Sequence, residues 1–409
     1  MKNEILRVAL IGAGGFAANH VRQIEEMQAE GLVHFVAVAD PTVDRLGDLK
    51  VRLEGKGVRW FLEYQDLLET LDGQLDAVAI ATPIPLHLPM LEAALDRNLA
   101  VYLEKPPVPL IQDFLRVLQR PESQRVAVAF NMVASPELWR LKQAIRTGTL
   151  GNVHRLTGSA CWPRRDAYYA RAGWAGRIQW KGMPVLDGPA TNALSHIVHN
   201  LMFLAGETED GFAVPETVRA ELYRARPIET YDLCALTGRW ASGLEFTAAF
   251  SHSVEERRDW SVVAEGDAGR GLLGLEELVV QTGSSQPIST ASGINTFSAS
   301  WRNFYDFATG RIAKPFTSLA DCRGYVATTN AMFRSAGAVH ELPASAVKRV
   351  EEDGDGVFDV PGIAPLIDRT VETGRLFSEL DVPWAVPGET VDIASLTELA
   401  IDRLVPATA

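Results

Sequence analysis

Cysteine is scarce. The three residues Cys161, Cys234 and Cys322 are scattered and form no CxxC pair, which excludes a disulfide framework and a thiolate zinc site. A sparse, odd number suits a reducing compartment, and Cys161 reads as a small buried apolar side chain more readily than as a reactive thiol. A basic excess is missing too: 39 Lys and Arg stand against 52 Asp and Glu, a formal net charge of −13. Phosphate backbones and anionic lipid both require a basic face, so nucleic acid and membrane surfaces are excluded as main partners. No apolar run approaches the ~20 residues of a membrane span. The chain enters its first strand by about Ile5, which leaves no room for a charged segment plus an apolar leader, and no twin arginine stands near the start. A cytoplasmic protein is expected. There is no internal repeat and no low-complexity tract.

Up to residue 130 there is a regular alternation of strand-like and helix-like runs. Ile5–Ile11, Val33–Ala39, Asp76–Ala81, Leu99–Leu103 and Val126–Phe130 read as strands, and apolar residues on both faces mark them as buried. Helical runs at Phe16–Gln28, Gln65–Thr70, Leu86–Arg97 and Ile111–Gln119 separate them. Such alternation predicts right-handed βαβ units and one parallel sheet. Beyond Ser135–Arg146, a helix leading out of this region, the strands lengthen and lose their intervening helices: Val153–Cys161, Thr217–Arg224, Leu233–Leu236, Gly243–Ser251 and Trp260–Ala264. That pattern predicts a mostly antiparallel sheet, interrupted by one helix over Ala190–Leu204. The expected fold class is α/β: a doubly wound parallel sheet in residues 1–130, an α+β domain with a mostly antiparallel sheet in 131–340, and an extension of unassigned role in 341–409, which holds the acidic run Glu351–Gly356.

The first chemical motif is Gly12-Ala-Gly14-Gly15-Phe16-Ala17, a G-x-G-x-x-A loop between a strand and a helix. Gly12 permits the tight turn, Gly14 lets a pyrophosphate approach the backbone, and Ala17 allows close helix–strand packing. The helix N-terminus offers amides and a positive dipole to phosphate. Asp40 ends the second strand, where a carboxylate accepts from both adenosine ribose hydroxyls and repels a 2′-phosphate. NAD is therefore favoured over NADP, with Arg45 nearby as the counter-indication. Thr82 and Pro83 end another strand and suit the nicotinamide ribose, with His87 capping or orienting that loop. Glu104-Lys105-Pro106-Pro107 follows the next strand; beside a positively charged nicotinamide Lys105 is expected to have a lowered pKa and to bind the reacting oxygen.

Farther on, Asn192, His196 and His199 fall on one face of the expected helix. A histidine is the natural general acid or base near neutral pH, whereas His199 by itself reads more simply as a structural histidine. No carboxylate or thiolate completes a metal set with this pair, so no metal is expected. Tyr168, Tyr169, Arg171 and Trp174, with Arg177 and Trp180, lie in an irregular stretch that suits a polyol, sugar or carboxylate.

The glycine loop, Ala81-Thr82-Pro83 with His87, Glu104-Lys105-Pro106 and the helix around His196 occur in an order and spacing that resembles the glucose–fructose oxidoreductase / inositol dehydrogenase / rhizopine-catabolism (Gfo/Idh/MocA) family, over residues 5 to about 340. The resemblance implies a Rossmann domain followed by a domain built on a large open sheet. It implies an NAD(P)-dependent dehydrogenase or reductase of sugars, inositols or related small molecules, assembled through that sheet as a dimer or tetramer. It also implies Lys105 as the family lysine and His196 as the catalytic histidine. The family commonly carries an aspartate four residues before that histidine; Asn192 stands there instead. Asparagine can hydrogen-bond or orient but cannot accept a proton, so His196 acts without that carboxylate or Asp187 compensates. Two alternatives keep the fold: a redox-neutral NAD-dependent sugar hydrolase or lyase, and a non-catalytic dinucleotide-binding sensor.

Overall fold

The computed structural model describes residues 5–275, 277–352 and 354–404. The outermost residues of the first and last expected domains, and Asp353 of the acidic run, lie outside the described residues. The chain divides into two compact units. The first comprises Met1–Val108, Asp113–Ala134 and Asn295–Cys322; the second comprises Pro109–Gln112, Ser135–Ile294 and Arg323–Ala409.

In the first unit the elements run β1 (Leu6–Ile11), α1 (Ala17–Ala29), β2 (Val33–Ala39), α2 (Val43–Glu54), β3 (Arg59–Phe61), α3 (Tyr64–Thr70), β4 (Ala77–Ile80), α4 (His87–Leu95), β5 (Ala100–Leu103), α5 (Ile111–Leu118, whose first residues belong to the second unit) and β6 (Val126–Val128). The six strands form one sheet in the order β3-β2-β1-β4-β5-β6, and every pairing is parallel. This is the doubly wound order, with its switch point between β1 and β4. The helix α2, absent from the sequence reading, has a kink at Leu46 and a single fully buried residue, Leu53, with Leu46 and Leu49 partly buried against the core. A later helix, α9 (Thr296–Ala308), belongs to this unit, because Trp301, Phe304 and Tyr305 join its apolar core. Sequence position alone had put α9 in the second domain.

The second unit holds α6 (Pro136–Arg146), β7 (Val153–Cys161), α7 (Asp166–Ala170), the short ladder β8 (Gln179–Trp180) with β9 (Met183–Pro184), α8 (Ser195–Leu204), β10 (Thr217–Arg224), β11 (Leu233–Arg239), β12 (Glu245–Ser251), β13 (Arg258–Gly266), β14 (Gly269–Leu273), β15 (Leu278–Thr282), β16 (Ile288–Thr290), α10 (Arg323–Ala336), β17 (His340–Glu341) and α11 (Ile363–Thr373). Its main sheet runs β16-β15-β14-β13-β7-β12-β11-β10-β17. It is antiparallel except at β7–β12 and β10–β17. Gly158 on β7 is the close-approach point for α8: a Cβ there would stand 2.5 Å from the Ile197 side chain.

The opposite face of this sheet is covered from within the chain. Cys161, Tyr223, Leu233, Ala235 and Ala249 pack against Val360, Ile363, Ile367, Leu376 and Phe377. Cys161 and Ala249 alternate with Gly158 and Ala248, which face α8, so the two layers lie on opposite sides. Polar latches reinforce the cover. Ser378 donates its hydroxyl and amide to the buried Glu221, Tyr223 donates to Glu221 at 2.9 Å and accepts from the Val386 amide, and Arg258 pairs with Asp368. Of the sheet through which the resemblance implies assembly, this patch is therefore covered by the chain itself. Residues 360–386, expected only as an extension, supply the apolar cover.

Candidate functional site

The parallel register of the first unit sets the candidate cofactor edge. Ile11 pairs with Ala39 and with Ile80, and Ile80 pairs with Leu103. The next residue on each strand is therefore aligned: Gly12, Asp40, Ala81 and Glu104. Backbone bonds continue across this row, from Gly12 N–H to Ala39, Ala81 N–H to Ile11 and Glu104 N–H to Ile80. Gly12 has φ of +88°, and a Cβ on it would lie 2.7 Å from the Ala81 carbonyl oxygen. Only glycine fits by both criteria.

The loop fits a dinucleotide pyrophosphate. Around Gly14 the nearest atom to an added Cβ is Leu46 at 3.8 Å, and around Gly15 nothing lies within 4 Å, so the approach is open. No side chain caps α1 at Phe16, and its first turn carries no acidic residue. The Ala17, Ala18 and Asn19 amides of that first turn close onto the Gly14, Gly15 and Phe16 carbonyls, so an anion would be met by the helix dipole and by the loop amides ahead of them. Asp40 is buried and does more than the sequence suggested. One carboxylate oxygen accepts from the Ala13 amide at 2.8 Å, and the other accepts from the amide and hydroxyl of Thr42 at 2.8 and 2.5 Å. It braces the glycine loop and keeps a lone pair, on the oxygen that accepts from Ala13, for a ribose hydroxyl.

Thr82 and Pro83 follow β4, and His87 opens α4 behind them. The imidazole is fully buried between two carbonyl oxygens, Pro106 at 2.8 Å and Thr82 at 2.9 Å. Burial pushes its pKa down. The structure therefore places His87 as a brace joining the Thr82 loop to the carbonyl of Pro106, whose peptide bond to Lys105 is cis, rather than at an open surface. Glu104 is buried as well. Burial raises its pKa, but the His20 hydrogen bond, the Lys105 charge and the Lys105 amide outweigh this and hold it below the usual carboxylate range.

In the second unit Asn192 lies in a five-residue π-helix, Pro189–Ala193, and Leu194 (φ −112°, ψ 15°) separates it from α8. The single helical face expected for Asn192, His196 and His199 is therefore interrupted. Single π turns recur at functional sites. This one is held by Tyr325, whose hydroxyl donates to the Thr191 carbonyl at 3.2 Å, and by Tyr231, 3.1 Å from the Thr191 hydroxyl. Asn192 donates to Asp187 at 2.9 Å, and the Gly176 amide donates to the other carboxylate oxygen at 2.7 Å. Burial nevertheless pushes Asp187 above its ordinary pKa. The structure thus brings together Asn192 and the acid considered as its compensator.

His196, the second residue of α8, is half-buried. His199 is in the core, stacked on Phe212 at 4.8 Å, and burial holds it well below its ordinary pKa. The arginine–aromatic stretch packs largely on itself: Arg171 lies 3.5 Å over the Tyr168 ring and 4.9 Å from Trp174, and Arg226 covers Tyr169 at 4.2 Å. Sequence reasoning missed His20, Trp301, Tyr231 and Tyr325. Only His20 left a trace, as a histidine one turn beyond the glycine loop. Among the described residues no group of three or more His, Cys, Asp or Glu is placed to hold a metal, and no helix is long and apolar enough to cross a membrane.

Two family profiles match: residues 6–132 fit an oxidoreductase family with an NAD-binding Rossmann fold, named GFO/IDH/MocA, and residues 138–271 fit a C-terminal domain of the same family. Inositol 2-dehydrogenase 4 of Saccharopolyspora erythraea is 34% identical over 155 residues, 37% of this chain and 44% of that protein. Rhizopine catabolism protein MocA of Rhizobium meliloti is 30% identical over 174 residues, 41% of this chain and 52% of that protein. The match thus spans about half the length of these relatives. Among solved structures, the WlbA dehydrogenase from Bordetella pertussis, in complex with NADH and UDP-GlcNAcA, aligns with a TM-score of 0.67 at 24% identity, over 81% of this chain and 97% of that one. Levoglucosan dehydrogenase in complex with NADH and levoglucosan aligns with a TM-score of 0.67 at 18% identity, over 81% and 97%. These similarities carry the fold.

Proposed function

Because the chain belongs to the Gfo/Idh/MocA oxidoreductase family, we propose that it is an NAD-dependent dehydrogenase or reductase acting on a secondary alcohol or ketone of a sugar, cyclitol or related small molecule. One observation carries the reading: Lys105 directly follows Glu104, which stands in the same row of strand ends as Gly12 and Asp40. NAD, when bound, supplies the acceptor or donor of the hydride. Gly12, Gly14, Gly15, Phe16 and Ala17 hold its pyrophosphate, Asp40 its adenosine ribose, and Thr82 and Pro83 its nicotinamide side. Asp40 favours NAD over NADP because a 2′-phosphate would meet a buried carboxylate.

Lys105 binds the reacting oxygen and stabilises negative charge on it. His196 takes the hydroxyl proton in oxidation and returns it in reduction. Asn192 and Asp187 orient the segment that precedes His196. The names of the relatives, inositol and levoglucosan dehydrogenases among them, agree with a polyhydroxylated substrate, as do Tyr168, Tyr169, Arg171 and Trp174. A cytoplasmic location belongs to this reading, and the sparse, scattered cysteines agree with it. A homodimer or homotetramer belongs to this reading and would use surface other than the patch under α11.

The test is a screen of purified protein with NAD and with NADP against sugars, inositols and sugar acids, following the absorbance of reduced cofactor, with product analysis in parallel. NAD-linked oxidation of one polyol class is expected. Product without reduced cofactor would replace the reading by redox-neutral turnover, and NADH binding without any turnover would replace it by a sensor.

A further inference from the structure

A buried polar chain crosses the first unit behind its glycine loop. The Trp301 indole nitrogen, on α9, lies 3.2 Å from His20 Nδ1, and His20 Nε2, on α1, lies 3.0 Å from Glu104 Oε1. The second Glu104 oxygen accepts from the Lys105 amide at 3.0 Å. Exposure is 1% for Trp301, 1% for His20 and 9% for Glu104. An indole N–H only donates, so His20 Nδ1 accepts. A neutral imidazole has a single N–H, which therefore sits on Nε2 and points at Glu104. Phe16, Phe297 and Tyr102 surround the His20 ring at centroid distances of 5.9, 5.0 and 6.0 Å. Of the side chains named here against the ring, from α1, α9 and the end of β5, Glu104 alone carries a charge.

We propose that Trp301, His20 and Glu104 form a positioning relay: Trp301 selects the His20 tautomer, His20 fixes the ionised Glu104, and Glu104 holds Lys105 as an ammonium at the strand end. This rests on the assignment of Lys105 to the reacting oxygen. Both oxygens of Glu104 are engaged, so its orientation is set, and its charge stands one residue from the lysine. Fixed negative charge at that range favours the protonated amine. The relay also ties α1, whose N-terminus faces the cofactor phosphates, to the residue that faces the reacting oxygen. Trp301 and His20 touch neither substrate nor cofactor in this scheme and act only through Glu104.

The experiment reads protonation directly and needs no substrate. Ring ¹⁵N shifts of His20 in labelled intact protein should show the Nε2–H tautomer at neutral pH; an Nδ1–H tautomer or a doubly protonated ring overturns the relay. The Lys105 amine, followed by ¹³C NMR after reductive methylation and assigned with Lys105→Arg, should titrate lower by ~0.5–1 unit in His20→Phe, which keeps a ring but removes both hydrogen bonds. His20→Gln, which can still donate to Glu104, should recover most of the shift, and Trp301→Phe should show a smaller one. An unchanged Lys105 titration in folded His20→Phe overturns the proposal. The wild-type tautomer decides the case if that variant does not fold. Turnover of a polyol together with the wrong His20 tautomer overturns the relay and leaves the proposed function standing; the expected tautomer and Lys105 shift in a protein without turnover support the relay and overturn the function.

Discussion

The two units hold their candidate reactive side chains by different means. In the first, Gly12, Asp40, Ala81 and Glu104 are placed by the register of adjacent parallel strands, and each lies one residue beyond a strand end. In the second, Asn192 and His196 sit on either side of a break between a π-helix and α8, fixed by hydroxyls of Tyr231 and Tyr325 from other elements. Backbone register yields a compact local motif. Packing yields an arrangement whose parts are far apart in sequence. A change in the first unit should therefore act on one function at a time, and a change in the second should disturb stability and site together.

The largest effects should fall on turnover. Lys105→Met and His196→Ala should each reduce it by ~10²–10⁴-fold while NADH affinity is largely kept. Steady-state kinetics on the substrate found by the screen, with fluorescence titration of NADH, check this. Full activity in His196→Ala would move the base to another group, first Lys105 and then Asp187.

Phe377 tests the packing side of the contrast. It is fully buried against Tyr223 and Trp384 beneath the sheet, and Phe377→Ala should cost about 3–5 kcal/mol in urea unfolding. A loss below about 1 kcal/mol would mean that the sheet face does not depend on its internal cover.

Gly14→Val should lower NADH affinity by on the order of 100-fold, about 2.8 kcal/mol, with an unchanged thermal midpoint, because the nearest atom to its Cβ is 3.8 Å away. Gly12→Val, by contrast, should lower the midpoint itself, since its Cβ would meet the Ala81 carbonyl at 2.7 Å. Equal behaviour of the two variants would erase the distinction between loop geometry and ligand approach.

His252 supplies a pH test in the second unit. Burial, then the Arg164 charge, pushes its pKa down to about 3, whereas an unfolded histidine titrates near ~6.5. Its folded pKa is the lower one, so its stability contribution is complete above about pH 6.5 and is lost as pH falls toward about 3. His252→Gln should flatten this acid limb by up to about 2 kcal/mol between pH 7 and pH 5 in urea melts. An identical pH slope in wild type and variant would show that other groups, such as the buried His199, govern it.

The smallest effect concerns cofactor choice. Asp40→Ala should weaken NAD binding and shift preference toward NADP by roughly tenfold, about 1.4 kcal/mol. Part of the NAD loss will come from freeing the Ala13 amide that Asp40 now holds. Wild-type preference for NADP would remove Asp40 as the selector.

The sequence by itself determined the alternating strands and helices of the first unit, the glycine loop, the strand-end positions of Asp40 and Lys105, and the strands Val153–Cys161 and Thr217–Arg224. It could do so because strand periodicity, glycine turns and strand termini are short-range properties of the backbone. The helix α2, kinked at Leu46, was not read despite its amphipathic spacing, and the π-helix at Asn192 could not be read from residues that also suit an ordinary helix. Only the tertiary structure decided that Trp301 reaches His20 across 281 positions, that Asp187 meets Asn192, and that Phe377 and its neighbours cover the sheet. Each of these depends on which surfaces meet when apolar faces are buried, and that is a property of the whole packed unit rather than of any window of sequence.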